Sequence, residues 1–458
     1  MKPTSLCPAG LRAAVLLLLL PAGALAAATP TAGTFNILSM NVAGLPAILN
    51  SNDVPGDKAT NARTIGAKFA ALDYDVIHVQ EDFNYHAYIY ETDTHPYRTA
   101  TSGGVSFGSG LNTLSNFPYV GFARTKWATC SDASSNDCLT PKGFTFMRVL
   151  VSGATDNDTA AYVDFYNLHA DAGTEDGDNV ARQANINQVA AYIATWSVGN
   201  AVLVFGDTNS RYSRTVDTAI RGLLSASTTA LTDPWVELVR SGVVPTAETL
   251  CANPSTTSYC ETVDKVFYRS SPLLALHATS FAYASSSFLQ ANGSVLSDHN
   301  PVQINLAWST ATTTLRQSAL SGGLTGTWFS DAPILAGLAS KPKPATLTFR
   351  GASRLDSVGL TLVDGSKLAH GGTGGTAASL ALGVSEYWVA ARLCRGVKDG
   401  NTRNFYILAT TSAGRTLAAG TATGDCTDFD APAGWQIVGF AGQSGDEVDQ
   451  LSFVYAAR

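Results

Sequence analysis

The chain has 458 residues, a formal net charge of −7 and only 14% charged residues. That length suits two domains rather than one. The acidic balance, with a pI near 5.5, leaves no broad basic footprint, so tight or processive nucleic-acid binding is not expected. The first element is a leader: Lys2 and Arg12, an apolar core from Ala13 to Leu20, and the small-x-small pattern Ala24-Leu25-Ala26. This predicts a secretory signal peptide over 1–27 and an exported, soluble mature protein. Of the seven cysteines, Cys7 leaves with the leader. The rest fall into two close pairs and one late pair, which predicts Cys130–Cys138, Cys251–Cys260 and Cys394–Cys426.

Beyond the leader, short apolar, β-branched runs alternate with helical stretches. Ile65, Phe69 and Leu72 repeat at helical spacing ahead of a strand over 75–79. Ile186, Val189, Ile193 and Trp196 do the same ahead of a strand over 201–205. Both helices therefore own an apolar face to lay on a sheet. Polar groups recur where the apolar runs end: Ser39-Met40-Asn41, Val79-Gln80-Glu81, Asn167-Leu168-His169, Gly206-Asp207-Thr208-Asn209, Val263-Asp264-Lys265 and Ser297-Asp298-His299. Groups at successive strand ends can converge on one edge of a sheet. There, carboxylates, asparagines and two histidines make a site able to hold a hard divalent cation and move protons near neutral pH. A carboxylate such as Glu81 at the end of a buried strand is unfavourable unless a cation or hydrogen bonds compensate it.

This ordered set resembles the endonuclease/exonuclease/phosphatase superfamily, which includes pancreatic-type deoxyribonuclease, secreted sphingomyelinases and inositol polyphosphate 5-phosphatases. The resemblance spans roughly residues 34–308. It implies an α+β fold, a four-layer α/β/β/α sandwich with two mixed sheets, and a Mg²⁺ cofactor, with Mn²⁺ or Ca²⁺ as alternatives. It assigns Asn41, Glu81 and Asp298 to the metal. Asp207 and Asn209 would orient water and phosphate. His299, held by Asp264, would serve as general base or phosphate stabiliser, and His169 as the acid for the leaving oxygen. Arg211 and Lys142 are candidate phosphate contacts. The segments Gly110–Pro118 and Lys142-Gly143-Phe144 resemble secreted sphingomyelinases, whereas Thr262-Val263-Asp264-Lys265 lacks the Trp-x-Asp-Arg element of the 5-phosphatases. The expected function is a secreted metal-dependent phosphodiesterase. A secreted endonuclease, an inositol polyphosphate phosphatase and a catalytically inactive lectin stay open as alternatives.

Composition changes after Trp308. Residues 309–321 are rich in Thr, Ser and Ala without apolar periodicity and read as a linker. Short alternating strands separated by glycines follow, such as 346–349, 405–408 and 451–455, and predict an all-β domain. Gly371-Gly372-Thr373-Gly374-Gly375 and the stretch 439–451 resemble a jacalin-related lectin. That implies a β-prism with a sugar loop at Gly442, Gly445 and Asp446. The expected division is a phosphoesterase domain over 28–308, a linker over 309–319 and a jacalin-like lectin domain over 320–458. The expected partners are a phosphoester substrate and glycans, with a monomeric protein. Membrane-surface lipid and nucleic acid stay open.

Overall fold

The structure, a computed structural model, describes residue 1 and residues 30–46, 52–102, 108–134, 137–153, 159–225 and 230–458. The expected signal peptide lies outside them. In chain order the first domain runs β1 (Ala32–Asn41), α1 (Lys58–Leu72), β2 (Val76–Gln80), α2 (His86–Thr92), β3 (Tyr97–Arg98), β4 (Asn112–Ser115), β5 (Tyr119–Lys126), β6 (Gly143–Ser152), β7 (Thr159–His169), α3 (Asp176–Trp196), β8 (Ala201–Asp207), α4 (Ala219–Ser225), β9 (Asp264–Arg269), β10 (Ala275–Tyr283) and β11 (Val302–Ser309). One sheet has the order β10-β11-β1-β2-β4-β3, and the other contains β9-β8-β7-β6-β5. Both are mixed, because β1–β2 and β7–β8 are parallel while their other pairings are antiparallel.

Strand alternation produces the layers. Phe35, Ile37, Val76, Val163, Phe165, Leu203, Phe205 and Ile304 meet between the sheets. The opposite face of the first sheet (Leu38, Met40, Ile77, Val79) takes the α1 stripe of Ala62, Ile65 and Phe69. The opposite face of the second (Tyr166, Leu168, Val202, Val204) takes Ile186, Val189 and Ile193 of α3. The result is the expected α/β/β/α sandwich. Leu72, expected on the buried stripe, is 41% exposed. It occupies the last turn of α1, next to the left-handed cap at Asp73.

The second domain continues with β12 (Leu315–Ser318), β13 (Ser321–Gly322), β14 (Thr327–Ser330), α5 (Ala332–Ala336), β15 (Pro344–Gly351), β16 (Leu355–Leu362), β17 (Lys367–Gly371), β18 (Thr376–Ala381), β19 (Trp388–Lys398), β20 (Asn401–Thr411), β21 (Thr416–Gly420), β22 (Asp425–Asp430), β23 (Trp435–Ser444) and β24 (Val448–Ala457). Two four-stranded sheets, β17-β16-β15-β18 and β21-β20-β19-β22, and a third built on β14-β23-β24 enclose Phe349, Trp388, Leu393, Ile407, Phe429, Phe440 and Phe453. This is the expected three-sided prism. The three disulfides join the expected pairs.

The linker reading requires correction. Residues 315–318 form β12, which pairs with β24 through Leu315↔Ala456 and Gln317↔Val454. The same strand pairs with the start of β7 through Gln317↔Ala160 and Ser318↔Thr159. The strand is Leu-Arg-Gln-Ser, and four residues are too few to show a period. One sheet therefore runs through both domains.

A side-chain clamp sits beside it. Arg148 on β6 makes a buried bidentate pair with Asp164 on β7, at 2.7 and 2.9 Å. The guanidinium carbon lies 3.5 Å from the ring centroid of Trp328 on β14. The Trp328 indole N–H donates to the Val198 carbonyl at 3.0 Å. Burial removes water from the cation–π contact and strengthens it. Trp328→Ala is expected to destabilise the full chain by about 3–5 kcal/mol, the usual range for deleting a buried tryptophan. Denaturant unfolding followed by circular dichroism checks this. A loss below about 1 kcal/mol would mean that backbone pairing alone holds the junction.

Candidate active site

The polar strand ends do converge. Asn41 closes β1, Glu81 follows β2, His169 closes β7, Asp207 closes β8 and Asp264 opens β9. Because β1–β2 and β7–β8 are parallel, their C-terminal ends share one edge of each sheet. The antiparallel β9 brings its first residue to the same edge, with Asp207 directly opposite Asp264. The loop before β11 adds His299.

The Asn41 side-chain amide donates to Glu81 Oε1 at 3.0 Å and to Asp207 Oδ2 at 3.1 Å. Its carbonyl accepts from the Ala43 N–H at 3.0 Å, which fixes the orientation of the amide. Asp207 Oδ1 accepts from the Asn209 N–H at 2.9 Å, and the Asn209 amide donates to the Ala170 carbonyl. Glu81 and Asn209 have φ of 58° and 49°, a sparsely populated conformation for non-glycine residues that surrounding contacts must hold. Glu81 Oε2 and Asp264 Oδ1 are buried acceptors with no partner. An oxygen each from Asp207 and Asp264 and a ring nitrogen of His299 lie within 4.8 Å of one another. Orphaned carboxylate oxygens in a buried acidic cluster fit a hard divalent cation.

The two histidines sit in opposite electrostatic settings. His299 Nδ1 and Asp264 Oδ2 are 2.8 Å apart, and Nε2 lies 3.8 Å from Asp207. Burial alone would lower this imidazole, but Asp264 and Asp207 outweigh it and hold its pKa well above the ordinary histidine value. Burial pushes Asp207 up to about 6 against the pull of His299. His169 is fully buried, with Nε2 3.1 Å from the Lys142 ammonium. Burial, then Lys142 and His299, hold its pKa well below the ordinary value. These neighbours favour the neutral imidazole of His169 beside the Lys142 ammonium. Lys142 is itself paired with Asp137.

Two other assignments do not join the cluster. Asp298 is exposed and accepts from the Asn52 amide at 3.1 Å, while His299 turns to Asp264. Arg211 turns to Glu248 at 3.2 Å, while its backbone N–H is held by Asp217. In the second domain Gly442 is buried inside β23 opposite Leu451. Its bare Cα allows close approach to the Gln450 carbonyl, so its role is packing. Gly445 and Asp446 form the exposed turn between β23 and β24, and Gly372 packs against the Asp446 backbone.

Two features went unread in the sequence. Lys58, the first residue of α1, is buried; its ammonium donates to the Ala43 carbonyl at 2.7 Å and to Leu45, and it feels the charges of Glu81 and Asp298. Its signal was its place at the head of the stripe Lys58, Ala62, Ile65, Phe69. Beneath the site, Gln80 Nε2 donates to Asn167 Oδ1 at 2.7 Å, and Asn167 Nδ2 donates to the Val79 and Asn112 carbonyls. These side chains join the two sheets one residue from Glu81 and two from His169.

In chelated protein at pH 7.5, imidazole NMR is expected to show His299 as imidazolium and His169 as neutral. The signs follow from linkage. The raised His299 favours the folded state below about 6.5, and that contribution fades as pH rises through its folded value. The depressed His169 acts in the opposite sense, so the fold loses stability as pH falls below about 6.5. Two neutral rings at pH 7.5 would contradict the assignment.

Comparison with known proteins accords with this geometry. Residues 58–305 match the family described as Endonuclease/Exonuclease/phosphatase family 2, and residues 319–454 match the jacalin-like lectin domain. Sphingomyelinases of Mycobacterium bovis and Mycobacterium tuberculosis are each 37% identical over 286 residues, covering 60% of this chain and 54% of theirs. The chain thus spans about half the length of the curated relatives it matches. Among solved structures, sphingomyelinase C from Streptomyces griseocarneus is 17% identical with a TM-score of 0.40, covering 60% of this chain and 99% of that one. A mannose-binding jacalin-related lectin from Ananas comosus is 22% identical with a TM-score of 0.28, covering 32% and 100%. With the family matched across more than half of its length, the chain belongs to Endonuclease/Exonuclease/phosphatase family 2 and carries a jacalin-like lectin domain after it.

Proposed function

We propose that the protein is a secreted, divalent-metal-dependent phosphodiesterase of the sphingomyelinase type, brought to glycosylated surfaces by its lectin domain. The observation that carries this reading is the buried cluster of Asn41, Glu81, Asp207, Asp264 and His299, with its orphaned oxygens on Glu81 and Asp264. The likeness to mycobacterial sphingomyelinases favours a phosphodiester lipid, and the net charge of −7 disfavours a polyanionic strand.

Glu81, whose Oε2 has no protein partner, would hold the cation, and the Asn41 amide orients that carboxylate through its other oxygen. When bound, Mg²⁺ neutralises phosphate charge and acidifies water. The chain's own groups do the rest. Asp207, with a pKa near 6, is ionised at neutral pH and accepts a proton from the attacking water as its oxygen bonds to phosphorus. Asn209 holds the second oxygen of Asp207 through its backbone N–H and so aims the carboxylate. His299, kept protonated by Asp264, donates to a non-bridging phosphoryl oxygen as charge builds there. The bond to the leaving oxygen breaks, and the Lys142–His169 pair supplies its proton. In that pair His169 Nε2 lies 3.1 Å from the Lys142 ammonium and orients it.

Glu81→Gln is expected to keep the fold and lower turnover at least about 10²-fold, and EDTA is expected to silence the wild type. A panel of sphingomyelin, plasmid DNA, an inositol polyphosphate and bis-(p-nitrophenyl) phosphate checks both claims. Full activity in excess EDTA, or cleavage of DNA but not of sphingomyelin, would overturn the reading. On a glycan array the full chain is expected to bind, and Asp446→Ala to abolish binding without changing phosphodiesterase activity on a soluble substrate.

A further inference from the structure

A groove of 470 Å³ crosses the outer face of β15, β16 and β17, within the range of small-ligand sites, about 300–1,000 Å³. Its floor is Gly359 and Ala369, and its walls carry the hydroxyls of Thr348, Ser357 and Thr361. Strand register gives it a direction. Ser357 faces Gly371 at one end, and Thr361 faces Lys367 at the other. Ser357 and Thr361 are four strand steps apart, about 13 Å at 3.3 Å per residue.

At the Ser357 end the groove does not stop. It runs into the loop Gly371–Thr373, and Gly372 lies against the backbone of Asp446 with no room for a side chain. Arg350, which also lines the groove, locks that loop. Its guanidinium donates to the carbonyls of Gly374, Thr373 and Gly375 at 3.0, 2.8 and 3.1 Å. The turn at Asp446, the glycine loop and the groove form one continuous surface, with a single side chain tying loop to groove.

The lining selects among ligands. Of the lining residues only His370 carries an aromatic ring, and that ring is stacked on Phe329 and bonded to Asp331, so the groove offers no free platform for stacked bases. The backbone of β16 is already paired on both sides, to β15 and β17, so a peptide cannot add there as a strand. What the floor and walls offer is small residues and hydroxyl groups able both to donate and to accept. A hydroxyl-rich chain fits that lining.

We propose that this groove is an extended glycan subsite, so that the lectin domain binds an oligosaccharide chain running from Asp446 across β16 rather than a single terminal sugar. The proposal rests on the carbohydrate-binding reading given above. It places sugar contacts on three strands whose residues are far in sequence from the turn at Asp446.

The test uses the full chain and calorimetry with two ladders, methyl α-mannoside to α-mannohexaose and methyl β-galactoside to β-galactohexaose. In the ladder that binds, the hexasaccharide is expected to bind about tenfold more tightly than the monosaccharide, or 1.4 kcal/mol. Thr348→Trp and Thr361→Trp, which fill the groove at two separate points, should each erase that gain and leave monosaccharide affinity unchanged. Melting temperature identifies a variant that misfolds, and the other then stands alone. Monosaccharide binding with no gain on lengthening, or a gain that survives both folded variants, overturns the groove while leaving sugar binding at Asp446 intact. Binding of nothing in either ladder overturns both.

Discussion

One hydrogen bond in the floor of the active site holds the arrangement above it: Gln80 Nε2 to Asn167 Oδ1, at 2.7 Å across the gap between the two sheets. Both side chains are fully buried, and Ser39 and two backbone carbonyls use their remaining capacity. A satisfied buried bond of this kind contributes only about 0.5–1.5 kcal/mol net, but leaving either partner unmet would cost about 1–3 kcal/mol. The asymmetry means the sheets cannot slide past each other at this level without breaking the network. Glu81 and His169 are the next polar groups along the same two strands, so their separation across the sandwich inherits that fixed register.

With the frame set, electrostatics divides the labour. The site gathers Glu81, Asp207 and Asp264 where water is scarce, an arrangement that is unfavourable unless positive charge answers it. Within the chain the answer comes from three sides. His299 is held charged between Asp264 and Asp207. Lys142 stands behind His169, and Lys58 approaches from the head of α1. Glu81 Oε2 and Asp264 Oδ1 are still left without partners, which is why the cluster is unfinished as a purely protein structure.

Much of the fold and of the cluster was legible because strand ends write themselves plainly: an apolar β-branched run, then a polar group whose burial demands a reason. Asn41, Glu81, His169 and Asp207 carried that signature, whereas Asp264 opens β9 and His299 precedes β11. What escaped had no such signature. Arg211 shares a face with Asp207 and Asn209 in an extended reading, but Asp217 captures its backbone and Glu248 its side chain, and neither is visible from local spacing. Asp298 is instead exposed and bonded to the Asn52 amide, a contact 246 residues away in sequence. Gly442 matched a sugar-loop pattern, yet the strand continues through it to Ser444, so the turn begins at Gly445. The pairing of β12 with β7 joins residues more than 150 positions apart, beyond any periodicity in a four-residue strand.

The strand β12 has a mechanical meaning. It is antiparallel to both β7 and β24, so its hydrogen bonds lie across the strand direction, and a pull along the strand loads them together instead of peeling them one by one. A pull applied between the two domains would pass through this seam. The seam has three register pairs on the β24 side and two on the β7 side, so the catalytic side is the weaker half. The Trp328 clamp on Arg148 sits on that half, as a rivet beside the shorter weld.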